Sequence, residues 1–318
     1  MTTFRRGFIV AFITILTTAL GISSISAQDT VDCPTDTFID VQADPANSEY
    51  AAPELSVSCT DDMMIIESNG IPNYEFIPVT PGNLTVQDLN IEIPLEPTIA
   101  EETTDIALLG LVAVAVNGAP IFGPNEGGNL GFGDPMLDEI LDFCNGHVGP
   151  SGYHLHASPT CLFDDYESAN LVIGYALDGF PIFAPYVCAD DSCSDVVEVT
   201  SSWERTSDVT SAWDAHEYIE GSGDLDQCNG MTLEDGSYAY FATQTFPYVI
   251  GCYVGELATT QEADAPSNDE GGQQGAPPNG DGEQQGAPPN DDGNRQGNRP
   301  PNGGGNGQGN PPPNGQDN

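Results

Sequence analysis

The chain has no lysine at all. Its five arginines stand against 49 acidic residues, for a formal net charge of -44. Only Arg205 falls between Gln28 and Glu256, where 40 of the acids lie. A field of that sign repels phosphate backbones and anionic lipid, so nucleic acid and anionic membrane surfaces are not expected as partners. Lysine-dependent anion binding is excluded. Catalytic signatures are also missing: there is no nucleophile-elbow serine motif, no HExxH and no EF-hand loop. The glycine-rich stretch from Gly123 to Gly133 lacks the lysine and the strand–loop–helix setting of a phosphate-binding loop. Only four histidines and two tryptophans occur. Beyond the first residues there is no apolar run near the roughly 20 residues that a spanning helix needs.

What is present begins with Arg5-Arg6, an apolar run from Gly7 to about Gly21, and small residues ending at Ala27. This reads as a secretory signal peptide, residues 1–27, and predicts an exported protein, secreted or held in the periplasm or at the cell surface. Eight cysteines in an exported chain predict disulfides. Residues 28–58 read as an N-terminal cap, closed by Cys33 and Cys59. Residues 59–256 read as the folded body. After Glu256 the sequence Gly-Gln-Gln-Gly-Ala-Pro-Pro-Asn recurs and aromatics vanish. Residues 257–318 therefore cannot bury enough apolar surface to fold, and are expected to be a disordered tether or spacer.

The body reads as mainly β and mostly antiparallel, sandwich- or barrel-like, with a few short helices. Met63 to Glu67 and Leu84 to Leu95 are strand candidates. Ile106 to Gly123 and Ala169 to Tyr186 each carry two apolar runs around Asn117-Gly118 or Asp178-Gly179, which predicts two hairpins; for the first, a helix is the runner-up. Asp134 to Asp142 is expected to be a short helix capped by Asp134, with Pro135 at its first position. Trp203 to Ile219 is expected to hold another.

The second half also echoes the first, which suggests two degenerate internal repeats. Asn117 to Pro124 matches Asp178 to Pro185. Leu141-Asp142-Phe143-Cys144-Asn145-Gly146 matches Leu225-Asp226-Gln227-Cys228-Asn229-Gly230. Tyr153-His154-Leu155-His156 matches Tyr238-Ala239-Tyr240-Phe241. The repeat suggests Cys144–Cys161 and Cys228–Cys252 as disulfides, and the spacing of Cys188 and Cys193 suggests a small closed loop.

Three of the four histidines, His147, His154 and His156, fall within ten positions. Residues i and i+2 of a strand share a face, so His154 and His156 project together while Tyr153 and Leu155 point the other way. His147 precedes a Gly-Pro-Ser-Gly turn that can fold it back onto them. Neutral imidazole is the commonest protein ligand for zinc and copper. All three are replaced together in the second half, by Met231, Ala239 and Phe241, as a functional unit would be. A fourth ligand is expected to be water or a carboxylate such as Asp142 or Asp178. The acidic pairs Asp61-Asp62, Asp164-Asp165 and Asp190-Asp191 suit loosely bound calcium at most. His216 reads as a surface residue, and Trp203 and Trp213 as packing residues.

Ser68-Asn69-Gly70-Ile71-Pro72-Asn73, Gly174 to Phe183, Cys144-Asn145-Gly146-His147 with Tyr153-His154-Leu155-His156, and Phe246 to Cys252 together resemble the YHYH-domain family, over roughly Cys59 to Glu256. Leu155 departs from the tetrapeptide that names the family, and Tyr74 stands where relatives often carry a histidine after Ile-Pro-Asn. The resemblance implies an exported bacterial protein and no established reaction. Three functions compete: a metal-binding module; a metal-dependent extracellular hydrolase or oxidase; and a structural or adhesive surface protein.

Overall fold

The computed structural model describes residues 32–258 apart from Asp191. The expected signal peptide, and all but the first residues of the expected tail, lie outside the described residues. The fold is mainly β. Leu55–Cys59, Met63–Ser68 and Leu89–Pro94 pair antiparallel in one sheet. Burial alternates along residues 63–68, as in a strand with one covered face. Met64 and Ile66 are buried and sit opposite Ile93 and Ile91, which are buried too. Such cross-strand apolar pairs are what hold a sheet in one register.

The larger sheet has eight strands, in the spatial order Gly230–Thr232, Tyr238–Phe241, Pro181–Phe183, Val172–Ala176, Leu111–Ala115, Pro120–Phe122, Gly152–Leu155 and Gly146–Gly149. Its centre is an antiparallel pairing of Leu111–Ala115 with Val172–Ala176. Moving outward on either side comes the partner strand of a hairpin, then a parallel neighbour, then an antiparallel edge strand. Ile121 pairs with Leu155 on one side and Ile182 with Tyr240 on the other. His147 faces His154 at one edge and Met231 faces Ala239 at the other. The series of pairings thus reads the same from both edges. Short two-stranded ribbons complete the fold: Tyr186–Cys188 with Val196–Glu198, Trp203–Arg205 with His216–Tyr218, and Ile99–Asp105 with Cys252–Gly255.

Both hairpins form, and the helical alternative for residues 106–123 does not. Each turn is closed by a glycine N–H donating three residues back, Gly118 to the Ala115 carbonyl and Gly179 to the Ala176 carbonyl. Only the glycines take positive φ, +80° and +87°. These are therefore three-residue loops ending in a left-handed glycine, rather than two-residue turns.

Two expectations need correction. Residues 134–142 form no helix. Asp134 does act as a cap, its Oδ1 accepting from the Met136 and Leu137 N–H groups at 3.1 and 3.2 Å. The turn stops because Glu139 adopts φ +54°, which ends a right-handed helix. The strand expected over Leu84 to Leu95 is confined to Leu89–Pro94, because Gln87 is spent on bridging. Its Nε2 donates to the Tyr153 carbonyl at 2.8 Å and its N–H to the Asn69 carbonyl at 2.9 Å. The helix expected within Trp203 to Ile219 is one turn, Ala212–Ala215, capped by Ser211.

All four expected disulfides are present: Cys33–Cys59, Cys144–Cys161, Cys188–Cys193 and Cys228–Cys252. Four bridges indicate an oxidising, extracellular setting. Their loops differ in size, with sequence separations of 24 for Cys228–Cys252 and 5 for Cys188–Cys193. Closing the longer loop removes more entropy from the unfolded chain. We expect the Cys228→Ser/Cys252→Ser variant to lose about 2–4 kcal/mol in urea unfolding, and the Cys188→Ser/Cys193→Ser variant clearly less. Equal losses would show that loop closure is not what these bridges contribute.

Candidate metal centre

The edge hairpin of Gly146–Gly149 and Gly152–Leu155 builds the centre. Its register sets His147 directly opposite His154. His156 follows two residues after His154 on the same face. On the other face Tyr153 and Leu155 are fully buried in the main core. The strand is therefore covered on both sides, and the three histidines are themselves only 3–5 % exposed. A side chain at position 149 would meet His154 Cε1 at 2.7 Å, so Gly149 leaves that ring its place. Phe122 stacks on the same ring at 4.1 Å between centroids.

The ring centroids of the three histidines lie 4.7, 4.9 and 5.1 Å apart. His154 Nε2 is 3.1 Å from both His147 Nε2 and His156 Nε2. Among the described residues this is the one group of three or more histidine, cysteine or carboxylate side chains whose donor atoms converge closely enough to share a metal ion. Nitrogens bound at about 2.0–2.1 Å to one ion stand roughly 3 Å from each other.

Tautomers follow from the outer partners. His154 Nδ1 lies 3.0 Å from the Gly152 carbonyl, and His156 Nδ1 lies 2.8 Å from the Gly123 carbonyl. A carbonyl only accepts, so each Nδ1 carries the proton and donates it. In the neutral rings both Nε2 atoms then present lone pairs to each other. Orientation of a ligating histidine through a carbonyl on its far nitrogen is the usual support of a metal site. Burial also pushes all three imidazoles below their ordinary range. His154 comes down to about 4, helped by the charge that His147 would carry. His156 falls well below its usual value, with His154 and His147 adding to the effect of burial. His147 is lowered by burial, against the opposing pull of the Ile140 backbone.

A carboxylate does reach the cluster, but neither of the two expected. Glu126 Oε1 lies 3.2 Å from His147 Nε2 and 3.3 Å from His156 Nε2. Its ionisation is pushed up by burial, which its link to the Gly127 backbone opposes and nearby Asp138 reinforces. Glu126 arrives from the glycine-rich loop. That loop is pinned by Asn125 N–H to the Leu108 carbonyl (3.2 Å) and Glu126 N–H to the Gly133 carbonyl (2.8 Å). No sequence signal marks it; what brings it there is the parallel pairing of Ile121 with Leu155 in the fold. Strands that run side by side release their next residues side by side, which brings Gly123 and Glu126 beside His156.

Asp142 and Asp178 are placed elsewhere. Asp142 serves the opposite face, accepting from the Tyr153 hydroxyl at 2.7 Å and from the Cys144 and Gly146 N–H groups at 2.9 and 3.0 Å. Asp178 accepts from the Tyr240 hydroxyl at 2.5 Å and from Gly255 N–H at 2.9 Å. Burial pushes both carboxyls up, with these bonds opposing it. Tyr74 also lies on the far face, 2.9 Å from the Tyr153 hydroxyl. Leu155, where the family tetrapeptide has tyrosine, is core. His216 is half-buried rather than on the open surface: its Nδ1–H donates to the Ala212 carbonyl at 2.7 Å and its ring stacks on Phe246 at 4.0 Å. Trp203 and Trp213 pack on the same phenylalanine at 5.5 and 5.7 Å. Asp61, Asp62, Asp164, Asp165 and Asp190 are exposed, and Asp191 lies outside the described residues.

Fold and site together define a disulfide-stapled β protein with a buried histidine triad. A family model described as YHYH protein matches residues 90–255, just over half the chain. The chain belongs to that family. The match starts later than the Cys59 expected above, leaving the Ser68 to Asn73 segment outside it. No curated protein and no solved structure matches the chain.

The depressed histidines give a pH test on metal-free protein. Their neutral state is favoured in the fold, so the stability they carry is full above the unfolded value near 6.5. It is lost as pH falls towards the folded value, about 4 for His154. Chelator-treated wild type should therefore lose stability between pH 7 and 4 relative to His154→Ala, in chemical unfolding at each pH. Parallel curves for the two proteins over that window would show that His154 is not held neutral by burial.

Proposed function

We propose that this protein is an exported metal-binding module, and that His147, His154 and His156 hold one transition-metal ion, zinc or copper. The observation that carries the reading is the 3.1 Å approach of His154 Nε2 to His156 Nε2 when both Nδ1 atoms are committed to carbonyls. Two lone pairs at that distance repel unless a cation lies between them. A proton would leave a charged ring in a site where burial opposes charge. A metal ion binds the neutral rings as they stand, and imidazole suits zinc and copper.

The two halves of the sheet support the assignment by contrast. We take them as products of a duplication. Asn145 and Asn229 both adopt φ 65°. Cys144 and Gly146 donate to Asp142 as Cys228 and Gly230 donate to Asp226. In the second half the three histidine positions hold Met231, Ala239 and Phe241, within a small apolar cluster that includes Phe183 and Leu225. The scaffold thus persists without histidines, and their presence in the first half answers to something other than folding. The enzyme reading gains no support from the triad's burial, which leaves little room for a substrate. We further propose that residues 1–27 direct export, that residues 28–58 cap the domain, and that the segment from 257 onward tethers or spaces it.

Elemental analysis of protein purified without chelator or His-tag should give about one zinc or copper ion per chain. After chelation, added zinc or copper should restore that content and raise the melting temperature, by linkage of binding to folding. His147→Ala, His154→Ala and His156→Ala should each abolish the stoichiometric ion. Wild type that takes up neither metal at neutral pH would rule the reading out.

A further inference from the structure

We infer that Glu126 is the fourth ligand of this centre and makes it select a divalent ion over monovalent copper; the inference rests on the metal-binding reading above. Glu126 is 7 % exposed, and its Oε1 is fully buried with no hydrogen-bond partner. It is the only carboxylate oxygen among the described residues in that condition. The other buried carboxylates are met by tyrosine hydroxyls or backbone N–H groups, as in Asp142 with Tyr153, Asp178 with Tyr240 and Asp134 with Tyr248. Nor does a side-chain cation balance it. The one arginine among the described residues, Arg205, donates to the Val209 carbonyl. What Oε1 does face is the pair of Nε2 atoms of His147 and His156, at 3.2 and 3.3 Å. Those two separations suit an oxygen and two nitrogens sharing one ion. The donor atoms that all lie within 4.8 Å of one another are those of the three histidines, so joining His154 on the same ion takes a small inward movement of the Glu126 side chain.

The other half of the sheet gives an independent indication. Extending the match of Phe122-Gly123-Pro124 with Phe183-Ala184-Pro185 by two residues sets Glu126 against Val187. Val187 packs on the apolar cluster of Phe183, Ala239 and Phe241. All four donors of the first half thus have apolar counterparts in the second, the carboxylate together with the imidazoles. A carboxylate is a hard oxygen donor that suits zinc and divalent copper, whereas monovalent copper favours soft ligands. Bound to three neutral imidazoles, a dication keeps one net positive charge after meeting this carboxylate.

The test is titration of wild type and Glu126→Gln, both stripped with chelator, with zinc and separately with monovalent copper under reductant. Loss of outer-shell partners already weakens metal sites about 10–100-fold. Removing a direct ligand should therefore weaken zinc by about 100-fold or more, with a much smaller change for monovalent copper. Metal-free Glu126→Gln should melt no lower than metal-free wild type, since it removes the charge of a buried carboxyl whose Oε1 has no hydrogen-bond partner, while the zinc-loaded variant should melt lower than zinc-loaded wild type. Glu126→Asp, which keeps the charge and withdraws it by one methylene, should also weaken zinc. If wild type binds zinc and both variants bind it equally well, Glu126 is a structural carboxyl and this inference falls while the histidine centre stands. If wild type binds neither ion, both readings fall together.

Discussion

Two lone pairs face each other across 3.1 Å inside this protein, and most of what surrounds them serves to keep them there. The carbonyls of Gly152 and Gly123 hold the protons of His154 and His156 on the outer nitrogens. The hairpin register brings His147 to the same point. Cys144–Cys161 closes the segment that carries all three rings. Burial removes the easy escape of protonation, because a charged ring loses its hydration there. The arrangement is costly for an empty protein and inexpensive for one that binds a cation.

The wider structure solves a related problem, which is how to bury carboxylates in a chain without lysine. Tyrosine does it. Phenol hydroxyls donate to Asp134, Asp142, Asp178 and Asp226 at 2.5 to 2.9 Å, supported at all four by backbone N–H groups. A buried acceptor met by two or three donors loses much of its desolvation penalty. The pair of Tyr153 with Asp142 occupies the face of the sheet opposite the histidines, and Tyr238 and Tyr240, with Asp226 and Asp178, take the corresponding strand at the other side of the sheet. Glu126 stands apart from the pattern: no tyrosine meets it, and its Oε1 has no hydrogen-bond partner and faces imidazole nitrogens.

Much of this was legible in the residues. The Asn117-Gly118 and Asp178-Gly179 signals located both hairpins, and the matched sequence blocks paired Cys144 with Cys161 and Cys228 with Cys252. The two-residue spacing of His154 and His156 placed them on one face. What could not be read was anything set by non-local geometry. Glu126 is one acid among the 40 between Gln28 and Glu256, and only the parallel pairing of Pro120–Phe122 with Gly152–Leu155 brings it near His156. Asp142 and Asp178 had the right chemistry for a fourth ligand, but tyrosines on the other face claim them. The helix over 134–142 had the right cap, and one left-handed residue, Glu139, ended it.

The central claim is that the inner nitrogens of His154 and His156 are unprotonated and face a common cation. Nitrogen-15 NMR of the histidine rings reports this directly. In metal-free protein at pH 7, both residues should show a protonated Nδ1 and a bare Nε2, and zinc should shift the Nε2 signals of all three histidines while the Nδ1 protons stay. A protonated Nε2 on either residue, or Nε2 signals that ignore zinc and copper alike, would contradict the account.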